Sequence, residues 1–303
     1  MSRTPIDFNA FEAVLLDLDG TVYFEEHALP GAVDLIRRLQ GERRKYACLT
    51  NSTSNPERIA ARLGRMGVQV DPAHIYTAAA AACDYVMERF AGQSALAEVG
   101  SDGVGGDGVN TNLQPRHPVT PHPVTSPKKP RVFNLSTEGV HEMLDGKVEW
   151  VNDEKSACDA VVCGVPVNVY ATDDRQRTAM VLLRRTGAEL VGICADRVYP
   201  SPRGLEFGVG AMSAMLAYAS GTTPVFSGKP ERFFFLELCR RLGADPARCV
   251  LVGDNLESDI AGAKGVGMKT VLVLTGVAGR ADAERLAPAQ RPDWVVPGLP
   301  DLL

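Results

Sequence analysis

The 303-residue chain has 32 basic and 37 acidic residues, which gives a formal net charge of −5. Its hydrophobic content of 45% and charged content of 23% are ordinary for a globular protein, and its length suits roughly two domains of average size. The acidic balance argues against nucleic-acid or anionic-membrane partners. No apolar run reaches the ~18 residues of a membrane-spanning helix, and the first residues predict no signal peptide.

Seven cysteines are spread along the chain, at positions 48, 83, 158, 163, 194, 239 and 249. Their number is odd and none forms a CxxC pair, so they are not spaced as metal ligands or as a disulfide framework. We expect reduced thiols in the core of a cytoplasmic protein. Secreted and zinc-ribbon classes are therefore disfavoured.

Strands and helices alternate over the first 80 residues. Short apolar runs at 13–16 and 46–49 are typical of buried parallel strands. Helices are predicted over 31–39, from about 54 to 67 and over 78–91, the second of them with a proline at its first helical position. This alternation predicts crossover units and a parallel sheet.

Residues 100–130 interrupt the alternation. They contain five glycines, six prolines and a tandem His-Pro-Val-Thr repeat. No apolar periodicity runs through this stretch, and its composition predicts a disordered or loop insertion.

The pattern resumes after this insertion. We predict strands at 132–135, 148–151, 160–165 and 189–194, with helices at 137–144 and 173–186. The last hundred residues repeat the first pattern, with helices at 208–220, 231–242 and 256–264 and strands at 249–253 and 270–274, while residues 224–227 lead into Gly228-Lys229-Pro230. The expected fold is α/β: a doubly wound, Rossmann-like parallel-sheet core over 1–80 and 201–303, with a smaller α/β domain over 81–200 inserted into it.

Polar residues follow several predicted core strands, where open α/β sheets bind ligands. They are Asp17 and Asp19 in Asp-Leu-Asp-Gly-Thr, Thr50 after the second strand, and Asp254 and Asp259 after a later strand. Lys229, in Ser-Gly-Lys-Pro, opens a predicted helix. Each residue alone is common in a turn, a helix cap or a solvated surface. Together they place acidic groups, a hydroxyl and a lysine on one sheet edge, which favours an active site.

This combination resembles the haloacid dehalogenase superfamily of phosphotransferases, whose four motifs occur here in order. The stretches 29–32, 49–52 and 267–277, and the domain inserted between the second and third motifs, resemble the NagD-type and 4-nitrophenyl-phosphatase-type branch. The likeness covers residues 12–80 and 196–298 closely and the middle loosely. It does not indicate a substrate.

The resemblance implies how the site would act on a phosphate monoester. Asp17 would be the nucleophile that forms an aspartyl-phosphate, and Asp19 would be the general acid and then the general base. Thr50, Asn51 and Lys229 would bind the phosphoryl oxygens, with Lys229 also offsetting the crowded acids.

The resemblance also implies Mg²⁺, a hard cation that suits oxygen ligands. Its ligands would be the Asp17 carboxylate, the Asp19 backbone carbonyl and Asp254. Asp259 is expected to contact these ligands rather than the ion.

The inserted domain is expected to be a cap that closes over the site and selects the leaving group. Asp196 stands where the branch usually has Asn-Pro-Asp, although Cys194 and Ala195 replace the first two residues, and it is a candidate substrate or cap contact. Arg197, Arg203 and His141 are weaker candidates, since such residues are more often solvated. The branch also implies a homodimer through the cap.

The sequence therefore predicts a Mg²⁺-dependent phosphatase of small phosphate monoesters, with nucleotides, phosphoglycolate, pyridoxal phosphate and sugar phosphates all open. The alternative is a catalytically silent phosphometabolite-binding or regulatory protein. A receiver domain is shorter and carries its phosphorylated aspartate on a later strand, and a dehalogenase would not need Asp19. A phosphomutase would need a helical cap in the ten or so residues after Thr21, which is too few.

Overall fold

A computed structural model describes residues 6–91, 129–165, 172–201 and 203–303. Its strands are β1 (Ala13–Asp17), β2 (Tyr23–Phe24), β3 (His27–Ala28), β4 (Lys45–Thr50), β5 (Ile75–Thr77), β6 (Arg131–Leu135), β7 (Glu149–Trp150), β8 (Ala160–Cys163), β9 (Glu189–Gly192), β10 (Val198–Ser201), β11 (Gly204–Phe207), β12 (Val225–Phe226), β13 (Cys249–Gly253), β14 (Lys269–Val273) and β15 (Trp294–Val296). Its α-helices are α1 (Ala32–Gly41), α2 (Pro56–Arg65), α3 (Ala78–Phe90), α4 (Glu138–Leu144), α5 (Asp173–Thr186), α6 (Val209–Ser220), α7 (Arg232–Leu242), α8 (Ala261–Gly265) and α9 (Arg280–Arg285). The insertion predicted over 100–130 lies outside the described residues except for its last two positions.

The larger sheet has six parallel strands in the order β15-β14-β13-β1-β4-β5. Alternate residues of its central strands enter two cores: Val14 and Leu16 pack with α1 and α2, whereas Ala13 and Leu15 pack with α3 and α7. Both faces of the sheet are therefore covered, which is why its strands are continuous apolar runs.

The smaller sheet has five parallel strands in the order β12-β9-β8-β6-β7. Helices α5 and α6 cover one face, where Leu182 and Leu216 join the core with Phe133. On the opposite face, Val132 and Val162 share a core with α3 and α4. The predicted fold, a doubly wound core with an inserted α/β cap, is confirmed.

Two elements after residue 200 contact the smaller sheet and its helices. Strand β12 pairs with β9 through Val225 and Val191, and α6 packs against α5. Both elements therefore belong with the smaller sheet, although the sequence places them in the core. We therefore propose that the cap extends to Phe226. The sequence does not show this, because a two-residue strand has no periodicity of its own and only its pairing partner shows to which sheet it belongs.

Two hairpins were not predicted. Strands β2 and β3 pair just after the first motif, and β10 pairs with β11 where Val198 faces Phe207. Leu205 and Phe207 are 75% and 69% exposed, so this second hairpin carries apolar side chains on the surface.

None of the helices in the described ranges combines the length and apolarity needed to cross a bilayer.

Loops at the carboxyl ends of the two sheets touch each other. The Thr137 hydroxyl, after β6, donates a 2.8 Å hydrogen bond to the carbonyl of Thr53, after β4. The Asn55 side chain donates a 2.6 Å bond to Glu142 of α4. The edge of the core sheet that carries the predicted site thus faces the corresponding edge of the cap sheet.

Candidate active site

Asp17 and Lys229 form the centre of the site. Asp17 is the last residue of β1, and its Oδ1 accepts a hydrogen bond of 2.5 Å from Lys229 Nζ. The same Nζ donates at 2.6 Å to Oδ1 of Asp259. All three side chains are at least nine-tenths buried, so these are ion pairs shielded from water.

The charges of these groups control one another. Burial, and then the charge of Asp259, raises the pKa of Asp17 well above its ordinary value, while Lys229 opposes the shift. Burial lowers the pKa of Lys229, but the charges of Asp17 and Asp259 raise it by more, so the lysine remains charged. The lysine therefore compensates only part of the negative charge around it.

Asp254 adds a third buried carboxylate. It follows β13, and its Oδ2 accepts a 2.6 Å hydrogen bond from the Val277 N–H. Burial raises its pKa, an effect that this bond opposes. Gly20 has a φ of +81°, and a Cβ there would lie 2.5 Å from Asp254 Oδ2. Glycine is thus needed both for the backbone turn and for the close approach of the carboxylate.

Asp17, Asp254 and Asp259 each offer a carboxylate oxygen, and these oxygens lie within 4.8 Å of one another. Among the described residues, one ammonium, that of Lys229, pairs with acids of this cluster, namely Asp17 and Asp259, so two negative charges are uncompensated there when all three acids are ionised. Buried charges require compensation, and hard divalent cations prefer oxygen donors. The cluster can therefore hold a metal ion.

Asp19 differs from the other acids. It is exposed, and its carboxylate is absent from the three-acid cluster found among the described residues. Its Oδ2 instead accepts a 2.7 Å hydrogen bond from the hydroxyl of Tyr23. Burial, and then the charge of Asp19, raises the pKa of Tyr23, so the phenol keeps its proton. An exposed carboxylate beside a buried one can exchange protons with a leaving group or with water.

Thr50 and Asn51 lie where β4 ends. Thr50 is buried, and its Oγ1 accepts a 3.1 Å hydrogen bond from the Ser52 N–H. Asn51 binds the backbone of Lys229 twice: Oδ1 accepts from its N–H at 2.8 Å and Nδ2 donates to its carbonyl at 3.1 Å. The side chain of Asn51, which the sequence assigns to phosphate binding, therefore holds Lys229 in place.

The predicted cap contacts fall into two groups. Asp196 reaches the site, since its Oδ2 lies 3.4 Å from Nδ2 of Asn51. Arg203 forms a 2.6 Å ion pair with Glu206 in the exposed hairpin. His141 stacks on Trp150 of β7, the edge strand opposite β12. Arg197 lines a shallow apolar cavity with Phe226. Asp196 therefore lies next to Asn51, a residue of the second motif.

Tyr23 and Arg62 were missed by the sequence analysis. Arg62 Nη1 donates a 3.2 Å hydrogen bond to the Tyr23 hydroxyl, and its guanidinium carbon lies 4.6 Å from the centre of the tyrosine ring. Tyr23 stands between Val22 and Phe24, so it looks like an ordinary core residue. The one available indication was its position four residues after Asp19.

The fold and the residues of the four motifs define a class of protein, and comparison with known proteins identifies that class. A model described as "Haloacid dehalogenase-like hydrolase" matches residues 14–107, and a related HAD-hydrolase-like model matches residues 226–302. An acid sugar phosphatase of Staphylococcus aureus (strain USA300) is 30% identical over 275 residues, which cover 90% of each chain. The chain therefore belongs to the haloacid dehalogenase-like hydrolase family.

Together with that relative and the two family models, solved structures support the NagD-like branch of that family. A 4-nitrophenylphosphatase from Thermotoga maritima shares the fold with a TM-score of 0.76, at 24% identity over 97% of both chains. A glycerol phosphate phosphatase from Mycobacterium tuberculosis, solved with calcium, has a TM-score of 0.76 and 26% identity over 97% of this chain and 75% of that chain. The protein is an enzyme of this branch, a phosphoric monoester hydrolase.

Proposed function

We propose that this protein hydrolyses small-molecule phosphate monoesters with Mg²⁺, through an aspartyl-phosphate on Asp17. The observation that carries the proposal is the buried cluster in which Lys229 bridges Asp17 and Asp259 beside Asp254. A phosphate monoester dianion repels nucleophiles, so its enzyme needs fixed positive charge next to the attacking oxygen. Lys229 supplies that charge against Asp17.

The reaction has two steps. A carboxylate oxygen of Asp17 attacks phosphorus while the bond to the leaving oxygen breaks, and Asp19 gives that oxygen a proton. Asp19 then takes a proton from the water that attacks the aspartyl-phosphate, which releases phosphate and restores Asp17. Lys229 and the Thr50 hydroxyl hold the phosphoryl oxygens during both steps, while Asn51 holds the backbone of Lys229.

The acidic cluster fits Mg²⁺ because its uncompensated charge equals that of one divalent cation. Asp17, Asp254 and the Asp19 carbonyl would hold the ion. Both oxygens of Asp259 already accept hydrogen bonds, Oδ1 from Lys229 and Oδ2 from the Asn255 N–H. Asp259 therefore suits contact with the ligands rather than with the ion itself. When bound, the ion neutralises phosphoryl charge and orients the substrate. The related glycerol phosphate phosphatase was also solved with magnesium.

Among the substrate classes left open by the sequence, we propose a sugar or polyol phosphate. Support comes from two relatives, named as an acid sugar phosphatase and a glycerol phosphate phosphatase. Asp196 can accept hydrogen bonds from sugar hydroxyls beside the site. Phosphate release should be measured over a panel that also contains nucleotides, phosphoglycolate and pyridoxal phosphate. A clear preference for one of those three would refute the sugar assignment.

The mechanism is tested by Asp17→Asn, in which an isosteric amide cannot attack phosphorus. Turnover of 4-nitrophenyl phosphate with Mg²⁺ should fall by ~10³-fold or more. Asp84→Asn is the matched control, since Asp84 also forms an ion pair, at 2.5 Å from Arg241, away from the cluster. If Asp17→Asn kept a tenth of the wild-type rate, with deamidation excluded by mass spectrometry, the covalent mechanism would be wrong. A wild-type protein without turnover would favour the silent binding protein.

Two further expectations stay predictions. A homodimer through the cap is tested by sedimentation of the wild type and of Leu205→Asp on the exposed hairpin. A cytoplasmic location rests on the seven cysteines, which form no disulfides among themselves and are all buried.

A further inference from the structure

Tyr23 is tied to Asp19 by backbone and side chain. The Gly20 N–H donates to the Tyr23 carbonyl at 2.8 Å, and the Tyr23 N–H donates to the Leu18 carbonyl at 3.1 Å. This tight loop places the Tyr23 hydroxyl 2.7 Å from Asp19 Oδ2. Tyr23 is only 1% exposed, so its ring has little freedom to leave that position.

Arg62 fixes the direction of the hydroxyl proton. Its Nη1 donates to the Tyr23 oxygen at 3.2 Å, and its Nη2 is held by the Glu25 carbonyl at 2.8 Å. A phenol has one proton, and a guanidinium can only donate. The proton of Tyr23 must therefore point to Asp19, and the oxygen of Tyr23 is occupied by Arg62.

We propose that Tyr23 is a positioning residue that holds Oδ2 of Asp19, which leaves Oδ1 as the oxygen that exchanges protons. The inference rests on the acid–base role proposed for Asp19. In the first step the proton moves from Oδ1 to the leaving oxygen, and in the second it returns from the attacking water. Tyr23 keeps its own proton throughout. Without the Tyr23 hydroxyl, the exposed carboxylate of Asp19 can rotate, and fewer of its orientations allow proton transfer.

The experiment compares two leaving groups in Tyr23→Phe. An alkoxide leaving group needs the proton from Asp19, whereas 4-nitrophenolate needs it little. The constant kcat/KM covers the steps up to release of the leaving group and is therefore blind to the second step. We expect kcat/KM to fall by ~10-fold for glycerol 3-phosphate, or the best alkyl phosphate of the panel, and by less than ~2-fold for 4-nitrophenyl phosphate.

Tyr76→Phe is the matched control. Its hydroxyl donates at 2.9 Å to Asp84, and its ring is also buried, but it lies outside the site. In this variant, kcat/KM relative to the wild type should be the same for both substrates. An equal loss for both substrates in Tyr23→Phe, at an unchanged melting temperature, would show a purely structural role and overturn the inference.

Asp19→Asn separates this inference from the proposed function. If Asp19→Asn shows the leaving-group selectivity and Tyr23→Phe does not, only the role of Tyr23 is wrong. If Asp19→Asn is itself unselective, the acid–base role of Asp19 fails and the inference falls with it. In the Asp19→Asn background, Tyr23→Phe should add no further selectivity.

Arg62→Met provides a second variant if Tyr23→Phe does not fold. Arg62 lies on the surface of α2 and is only half-buried, so its loss is tolerated more easily. Without its donor, the Tyr23 hydroxyl is free to rotate away from Asp19. The same selectivity should appear at roughly 3-fold, and its absence in folded Arg62→Met would then overturn the inference.

Discussion

Replacement of Lys229 by methionine should destabilise the protein as well as inactivate it. The change keeps an apolar chain of similar length but removes the ammonium that lies 2.5 Å from Asp17 and 2.6 Å from Asp259. Two buried carboxylates then lose their only lysine partner among the described residues. Fixed positive charge on the phosphoryl oxygens is also lost, so the rate should fall by ~10²–10³-fold or more.

The size of the stability loss follows from burial. Removal of one member of a buried ion pair costs about 3–5 kcal/mol. With an unfolding entropy of ~2.1 cal/mol/K per residue, this loss lowers the melting temperature of a chain of this length by about 5–8 °C. Lys269→Met is the control: its 2.8 Å pair with Asp293 is on the surface and the lysine is 53% exposed, so its loss should cost no more than ~1 kcal/mol.

The loss should depend on pH and on metal. Burial raises the folded-state pKa of Asp17 above its unfolded value, and loss of Lys229 removes the charge that opposes this shift. Such a carboxyl stabilises the fold below the unfolded pKa, and that stability is lost as the pH rises through the folded pKa. The deficit of Lys229→Met should therefore grow from pH 5 to pH 8 and shrink when Mg²⁺ binds the acids. Thermal melts in chelator and in Mg²⁺ measure it. If Lys229→Met and Lys269→Met have the same melting temperature at pH 8 in chelator, the charge argument is wrong.

Three other results are expected. Asp19→Asn should accumulate phosphoenzyme with 4-nitrophenyl phosphate, because the second step lacks its base; rapid quenching with radiolabelled substrate would reveal none if the role is wrong. Asp254→Ala should raise the Mg²⁺ concentration for half-maximal activity by at least ~10-fold, and Ca²⁺ should support the wild type poorly; full activity in excess chelator would contradict both. A short Gly-Ser linker in place of residues 103–128 should leave the melting temperature and kcat/KM nearly unchanged, since loop closure depends weakly on length; a ~10-fold higher KM would instead place this stretch at the substrate.

Local patterns predicted most of the elements. The apolar run at 13–16 became β1, and the Asn-Pro pair became the start of α2, where Asn55 Oδ1 accepts a 2.9 Å bond from the Arg58 N–H. Strands β2, β5 and β12 were missed or misplaced because two or three residues carry no periodicity. Their structure depends on partners that only the complete fold supplies.

The sequence predicted those residues of the candidate site that directly follow core strands. Parallel strands align their carboxyl ends, so Asp17, Thr50 and Asp254 had to lie near one another. The contact between Asn51 and Lys229 joins residues 178 positions apart and has no local pattern. The hydrogen bond from Tyr23 to Asp19 depends on the direction of a ring, which the sequence Val-Tyr-Phe does not specify.

The attachment of Lys229 has a consequence for protein engineering. The lysine follows the last cap strand by three residues, yet the Asn51 side chain fixes its backbone to the end of core strand β4. Lys229, which we propose to act in catalysis, is thus held by the core, although it follows the proposed cap boundary in the chain. We therefore expect a chimaera that receives the cap of another family member, joined at Phe226, to keep Lys229 in register with Asp17. In such a chimaera, substrate choice should change without loss of the phosphoryl chemistry.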